Sequence, residues 1–198
     1  GTTQGAHSGS GALDSYLSVV GDESGVAIIT AAGNEGDARL HYYGEIDKTL
    51  GYQTVEWRVG ERESGFSMEI WGNSPGTYSI DLTSPMGEYI PRIPARLNER
   101  RDIRFIFEPT LVRVDYQLIE SRTGNELIIL RFDRPTAGIW RANVHGTGDL
   151  PLIFHCWLPL SDFITEDTFF LTSNPDSTLT SPGNASMPIT VTSYDPSN

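Results

Sequence analysis

The sequence alternates apolar and polar residues with a period of two from about residue 43 to residue 157. Successive side chains on a β-strand point to opposite faces, so this period predicts strands with one buried face and one exposed face. Turns containing Gly, Pro or Asn divide the region into predicted strands at 52–59, 66–71, 77–82, 103–107, 111–119, 126–132, 138–144 and 150–157. Short strands of this kind close most simply as two packed sheets, so we expect a β-sandwich of the jelly-roll kind.

The apolar side of each alternating strand is expected to face the core between the two sheets. The predicted inward residues are Val55, Trp57, Val59, Phe66, Met68, Ile70, Tyr78, Ile80, Leu82, Ile103, Phe105, Phe107, Val112, Val114, Tyr116, Leu118, Trp140, Ala142 and Val144. His155 and Cys156 are neighbours on one strand and so point to opposite faces. This favours a buried structural thiol over a histidine-activated nucleophile.

The amino-terminal residues follow a helical pattern instead. Apolar residues spaced i, i+3, i+4 and i+7 predict one face of a short amphipathic helix, formed by Leu13, Tyr16, Leu17 and Val20. Gly21 is expected to end this helix, with Asp14 on its solvent face. The β-branched run that follows predicts a strand at 25–31 that is apolar on both sides, as in a buried parallel sheet.

The segment 25–36 has the sequence GVAIITAAGNEG and stops on a Gly-Asn pair. Polar side chains at the carboxyl end of a buried parallel strand are often the ones that do chemistry. The small residues Ala31, Ala32 and Gly33 would let another backbone approach, and Asn34 would offer a neutral amide donor to an anion. Gly-Asn is also a common turn dipeptide, and these residues alone leave both interpretations open.

Composition argues against several kinds of partner. The formal net charge of −12 at pH 7 argues against a nucleic-acid ligand, which needs a basic surface. No apolar run is long enough to span a bilayer, so no membrane segment is expected. Cys156 is the only cysteine. Since His7, His41 and His145 show no metal-ligand spacing, we expect surface or turn histidines and neither metal nor cofactor.

Two segments resemble the subtilisin-like serine peptidases. Residues 1–36 are similar to the family stretch that runs from the substrate-binding strand, through a helix, to the oxyanion-hole asparagine. Residues 178–198, TLTSPGNASMPITVTSYDPSN, are similar to the strand that leads towards the catalytic serine. The long chain between them resembles the bacterial germination (Csp-type) proteases, which carry an inserted jelly-roll domain, although it matches only by position and strand pattern.

The resemblance implies a mixed, mainly β fold in three parts. Residues 1–45 would be one piece of an α/β peptidase domain, 46–160 a jelly-roll insert, and 161–198 a return linker with a second α/β piece. Strands 25–31 and 188–194 would then lie side by side and parallel.

The resemblance also implies a function. Asn34 would help bind the oxyanion of a serine endopeptidase, and Gly1 and Ala31 to Gly33 would line the cleft that holds the substrate backbone. The partners would be a protein or peptide substrate and the remainder of the peptidase domain. A soluble bacterial protein, secreted or associated with spores, would fit this group, although the sequence leaves the compartment open.

The family's catalytic motifs are missing. An Asp-Ser/Thr-Gly turn, a His-Gly-Thr-His helix start and a Gly-Thr-Ser-Met-Ala helix start do not occur in the sequence. We therefore interpret the chain as part of a larger enzyme, unable to hydrolyse peptides by itself. The alternative is a non-enzymatic module whose β-sandwich binds a protein or a carbohydrate.

Overall fold

The computed structural model describes residues 1–97 and 100–193. Helix α1 spans Ala12–Gly21, and a single 3₁₀ turn spans Ser161–Phe163. The strands, numbered in chain order, are β1 Ile29–Ala31, β2 His41–Glu45, β3 Tyr52–Val59, β4 Gly65–Gly72, β5 Thr77–Thr83, β6 Tyr89–Ile93, β7 Arg100–Arg104, β8 Leu111–Gln117, β9 Glu126–Asp133, β10 Gly138–Thr147, β11 Ile153–Trp157, β12 Phe169–Phe170 and β13 Ile189–Val191.

Two large antiparallel sheets share one core. Their strand orders are β12-β3-β10-β5-β6 and β2-β11-β4-β9-β8-β7. A separate small sheet pairs β1 with β13 in parallel. The mixed, mainly β fold class expected from the sequence is therefore confirmed, while the jelly-roll connectivity and the domain boundaries stay predictions.

The predicted core residues form the layer between the large sheets. All of them are buried except Phe107 and Leu118. The prediction for Phe107 is wrong, because β7 ends at Arg104 and the chain then turns, which leaves the Phe107 side chain 75% exposed. Cys156 is fully buried and His155 lies on the opposite face of β11, as expected from their adjacent positions.

Three strands of the large sheets were not predicted. β2 carries polar residues on both faces, and β12 has only two residues. β6 contains Pro91, which has no backbone N–H to donate, but β6 lies at the edge of its sheet, where a proline is tolerated. β2 and β12 lie outside the range 46–160 that the sequence suggested for the sandwich.

Aromatic rings fill the centre of the core. The ring centroids of Trp57 and Trp140 are 6.4 Å apart in a stacked arrangement. Phe105 and Phe132 meet Trp140 edge-on, at 5.2 and 5.3 Å. Trp140 Nε1 donates a hydrogen bond to the carbonyl oxygen of Thr136 at 2.9 Å. The large rings thus interlock the two sheets. The hydrogen bond to Thr136 satisfies the buried N–H group of Trp140.

Glu126 is a buried carboxylate at the start of β9. One of its oxygens accepts a hydrogen bond from the backbone N–H of Tyr78 at 2.7 Å. The other has no hydrogen-bond partner in the part of the chain that the structure describes. Burial raises the pKa of Glu126 from 4.5 to about 7, and the Tyr78 hydrogen bond opposes this only in part.

We predict that Glu126→Gln makes the protein more stable at high pH. Because the folded pKa lies above the unfolded value, stability present below pH 4.5 is lost as the pH rises towards 7. For the wild-type protein, the free energy of unfolding measured in urea should fall by about 2–3 kcal/mol from this cause between pH 5 and pH 8. Glu126→Gln should abolish the loss, and the exposed Glu45→Gln should leave it in place. Parallel pH profiles for wild type and Glu126→Gln would contradict the prediction.

Candidate functional site

The candidate site is the loop at the carboxyl end of β1. Gly33 has φ of 95°, in the left-handed region that favours glycine. A Cβ on Gly33 would lie 2.5 Å from Cγ2 of Thr180, so a larger residue would collide with the neighbouring segment. The backbone N–H of Thr180 donates to the carbonyl oxygen of Ala32 at 2.9 Å. These contacts explain why small residues follow β1.

A third segment completes the site. The backbone of Thr2 exchanges two hydrogen bonds with Ser181, at 3.0 and 2.9 Å. A Cβ on Gly1 would lie 2.7 Å from Oγ1 of Thr180, so Gly1 and Gly33 both lie against the same threonine. The structure therefore brings residues 1–2, the loop after β1 and residues 180–181 together.

Asn34 is exposed at the tip of this loop. Its side chain makes no hydrogen bond within residues 1–97 and 100–193, so its amide is available to a ligand. The next residue, Glu35, is buried and accepts hydrogen bonds from the backbone N–H and hydroxyl of Ser161 at 3.4 and 3.2 Å. The buried Glu35 thus anchors the backbone directly after Asn34.

The parallel pairing of the two distant strands is confirmed. Ile29 pairs with Ile189, Thr30 with Thr190 and Ala31 with Val191. Residue 194, at the end of the predicted strand 188–194, lies outside the described residues. The Thr30 and Thr190 hydroxyls are 3.1 Å apart, which ties the strands through side chains as well as backbone.

Helix α1 lies against residues 181–187, and one expectation about it is wrong. Asp14 was expected on the solvent face but is buried, and one of its oxygens accepts a hydrogen bond from the Ser181 hydroxyl at 2.9 Å. A charged residue on a helix looks like a surface residue in the sequence, because its partner lies far away along the chain. Two residues of the predicted apolar face are instead largely exposed, Leu13 at 52% and Tyr16 at 65%.

Sequence reasoning missed a cluster of three histidines. His41 was expected at a surface or turn, yet it is buried, and it lies with His7 and His155 around Trp157. Alternation on β2 and β11 places His41, Tyr43, His155 and Trp157 on one outer face, which is the signal that could have found the cluster. His145 lies apart from it, with Nε2 2.9 Å from Oδ2 of Asp81.

Within the described ranges, no group of three or more His, Cys, Asp and Glu side chains could hold a metal ion. In the same ranges, no helix is long and apolar enough to cross a bilayer.

Comparison with known proteins gives a structural relative. No protein-family model matches the chain, and no curated protein sequence matches it. Among solved structures, the chain is similar to the CspB protease of Clostridium perfringens, with a TM-score of 0.86 and 24% sequence identity. The likeness covers 98% of this chain and 40% of that protein, so the chain spans less than half of the relative's length. At this identity the likeness shows a shared fold.

Proposed function

We propose that this chain is part of a subtilisin-like serine endopeptidase in which Asn34 is one donor of the oxyanion hole. One observation carries the proposal. The Asn34 side chain is exposed at the carboxyl end of a parallel strand pair, and its amide has no hydrogen-bond partner among the described residues. A side-chain amide at this position can donate to the oxygen that becomes negative in the tetrahedral intermediate. Such a donor needs no partner in the resting protein, because its partner is the charge of the transition state.

The substrate cleft is proposed to lie beside the same loop. Gly1 and the small residues Ala31, Ala32 and Gly33 would line this cleft, in which an extended peptide backbone would lie. Thr180 packs behind Gly1 and Gly33 and would form the wall of this cleft. The substrate would be a protein or peptide, since a cleft lined mainly by backbone recognises backbone.

The remainder of the peptidase domain is the proposed partner of the small sheet and helix α1. Ile29 in β1 is 70% exposed, and Ile189 and Val191 in β13 are 59% and 52% exposed. Leu13 and Tyr16 of α1 are exposed as well, and apolar side chains exposed in such numbers favour a protein partner. The relative's greater length supports this assignment. The division at residues 45 and 160 is part of the same proposal, with β2 and β12 of the flanking pieces forming edge strands of the two large sheets. Secretion or association with spores is likewise a proposal.

The experiment compares this chain with its full-length parent. The parent is expected to hydrolyse casein and to be labelled by a fluorophosphonate, which reacts with activated serines. The 198-residue chain should do neither, because an oxyanion donor without a nucleophile and a base has no acyl-transfer step to stabilise. Hydrolysis by the chain alone, after removal of contaminating proteases, would contradict the proposal. So would a parent that no fluorophosphonate labels.

A second candidate function, a protein-binding module, is favoured by one feature of the sandwich. The turns 84–88 and 105–110 expose Met86, Ile106 and Phe107 by 68%, 81% and 75%. The Glu88 carboxylate accepts hydrogen bonds from the backbone N–H groups of Ile106 and Phe107 at 2.9 to 3.1 Å, which ties the two turns together. Photo-crosslinking from position 106 tests the candidate. A cross-link to another protein supports it, whereas one within the full-length chain assigns the tip to an internal contact.

A further inference from the structure

Four strands form the edges of the two large sheets, namely β12, β6, β2 and β7. Each of the first three carries an obstacle to a further strand. β12 has only two residues, and β6 contains Pro91, which has no N–H group. In β2 the carbonyl oxygen of His41 already accepts a hydrogen bond from the backbone N–H of Asn174 at 2.9 Å. β7 has five residues, no proline and no such cover among the described residues, so it is the edge best suited to accept another strand.

The hydrogen bonds between β7 and β8 show which backbone groups of β7 face outward. The two strands pair in one continuous register along all five residues of β7. One residue further on, the backbone N–H of Phe105 donates to the carbonyl oxygen of Thr110 at 3.2 Å. Bonded and non-bonded positions alternate along an antiparallel strand, so the N–H and C=O groups of Arg100, Asp102 and Arg104 point away from β8. No other described strand pairs with β7, so these groups are available to a partner.

The side chains along this edge carry an excess of positive charge. Five of the 14 basic residues of the chain lie between residues 92 and 104. The Asp102 carboxylate is already paired with Arg100, at 3.7 Å. Arg101 and Arg104 are exposed, and neither makes an ion pair in the part of the chain that the structure describes. The edge therefore attracts negative charge, although the chain as a whole has a formal net charge of −12.

The open edge of β7 lies on the side of the sandwich away from the flanking segments. β2 and β12 form one edge of the two large sheets, and β7 and β6 form the opposite edge. β2 begins soon after the loop that carries Asn34, and β12 leads into the return segment. Because β7 is remote from these segments, its occupant is expected to be a separate molecule. Binding there does not depend on the peptidase proposal.

A second copy of the chain is a poor partner for this edge. Two copies of β7 could pair antiparallel about a two-fold axis at Asp102, which is the register that uses all three outward-facing residues. That register would place Arg100 directly opposite Arg104 at both ends of the pair. Like charges in opposed positions destabilise a strand pair. An acidic strand would instead place carboxylates beside the same arginines.

We propose that the open edge of β7 binds an extended acidic segment of another protein, which adds to the six-stranded sheet as a further strand. The outward backbone groups of Arg100, Asp102 and Arg104 supply the hydrogen bonds that hold the added strand. Acidic side chains of the partner lie beside Arg100 and Arg104 on the outer face of the sheet. Because charge at an edge discourages pairing with unselected strands, the arginines also select the partner.

Amide hydrogen exchange of the full chain, followed by nuclear magnetic resonance, tests the proposal residue by residue. The probe is an acetylated and amidated Glu-Val-Glu-Val-Glu-Val-Glu peptide, which alternates as a strand does and carries the required charge. At saturation, exchange of the Asp102 and Arg104 amides should slow at least about tenfold, because the peptide accepts hydrogen bonds from them. The amides of Arg101 and Ile103 already face β8 and should change less than about twofold.

Two results of this experiment would overturn the proposal. The first is unchanged exchange at Asp102 and Arg104 with the acidic peptide in large excess, or equal slowing by a peptide of the same pattern with Lys in place of Glu. The second is protection of the two amides that grows with chain concentration in the absence of peptide, which would assign the edge to a second copy.

Asp102→Pro tests whether the backbone of β7 holds the partner. A proline at this position removes only the N–H that points to the open edge, and Pro91 in β6 shows that an edge strand of this fold accepts a proline. Asp102→Pro should weaken binding of the acidic peptide at least about tenfold. The matched control Asp102→Ala removes the same carboxylate and keeps the N–H, so it should bind at least as well as the wild type. Equal binding by the two variants would overturn strand addition.

Arg104→Glu tests whether charge selects the partner. It should weaken binding of the acidic peptide about fivefold, because it replaces an attraction with a repulsion at an exposed site. Arg122→Glu makes the same change in the exposed turn between β8 and β9 and should leave the affinity unchanged. Equal weakening by the two variants would assign the effect to the net charge of the chain and would contradict a site at β7.

Methylated peptides cover the case in which Asp102→Pro fails to fold. One peptide carries N-methyl groups on its Glu residues and the other carries them on its Val residues. An added strand turns only one of these two sets of N–H groups towards β7. We therefore expect the wild-type chain to bind one methylated peptide with the affinity of the parent peptide and to lose the other. Equal affinity for both would show that charge alone holds the peptide and would overturn strand addition.

Discussion

Replacing Asn34 with alanine in the full-length protein is expected to lower kcat by about 10²–10³-fold, or about 3–4 kcal/mol, which is the known size of the loss at the oxyanion asparagine of subtilisin itself. The melting temperature should hardly change, because the Asn34 side chain is exposed and makes no hydrogen bond within the described residues. Steady-state kinetics and thermal unfolding of the same preparations measure both quantities.

Asn125→Ala is the matched control for Asn34→Ala. The Asn125 side chain accepts a hydrogen bond from the backbone N–H of Ser74 at 3.0 Å and so has a structural role in a turn. Its replacement should lower the melting temperature and leave kcat unchanged. A kcat loss below about tenfold in Asn34→Ala, or some 1.4 kcal/mol, would make Asn34 an ordinary turn residue.

Trp140→Ala is expected to destabilise the chain by about 3–5 kcal/mol, because it removes a fully buried ring and leaves a cavity between the sheets. Phe105, Phe132 and Trp57 all pack against this ring, so the loss reaches both sheets. Urea unfolding measures the change. The neighbouring Ile139 points the other way and is 44% exposed, so Ile139→Ala should cost less than about 1 kcal/mol. If the two variants lost similar amounts of unfolding free energy, the two sheets would not share this core.

The sandwich could be predicted because alternation is a local property of a strand. Trp57 and Trp140 were assigned to the core from their own neighbours in the sequence, and both are fully buried. Phe107 was misassigned because the same alternation continues past Arg104, where the strand ends and the chain turns. Periodicity reports the face of a strand but not its last residue.

Contacts between distant segments could not be predicted from pattern. Asp14 is buried against Ser181, and His41 against His155, through pairings that nothing in either local sequence announces. The parallel pairing of β1 with β13 was expected only because the two segments resemble successive parts of one family. Family likeness supplied the long-range information that spacing and composition lack.

The roles that we propose for Asn34 and the cleft residues rest on the same likeness together with the geometry of the loop. Gly33 must be glycine because of its positive φ and its contact with Thr180, which is a structural reason that would hold in any protein. Asn34 has no such structural reason, since its side chain is exposed. A residue that the fold leaves free is the one for which a chemical role is worth testing.

The most direct test of the oxyanion assignment is a structure of the full-length protein with a peptide boronic acid bound. A boronic acid forms a tetrahedral adduct with an activated serine and places an oxygen where the oxyanion develops. We predict that this oxygen lies about 2.7–3.1 Å from Nδ2 of Asn34. An adduct whose oxygen is bound by other donors, with Asn34 still facing solvent, would contradict the central claim, as would the absence of any adduct.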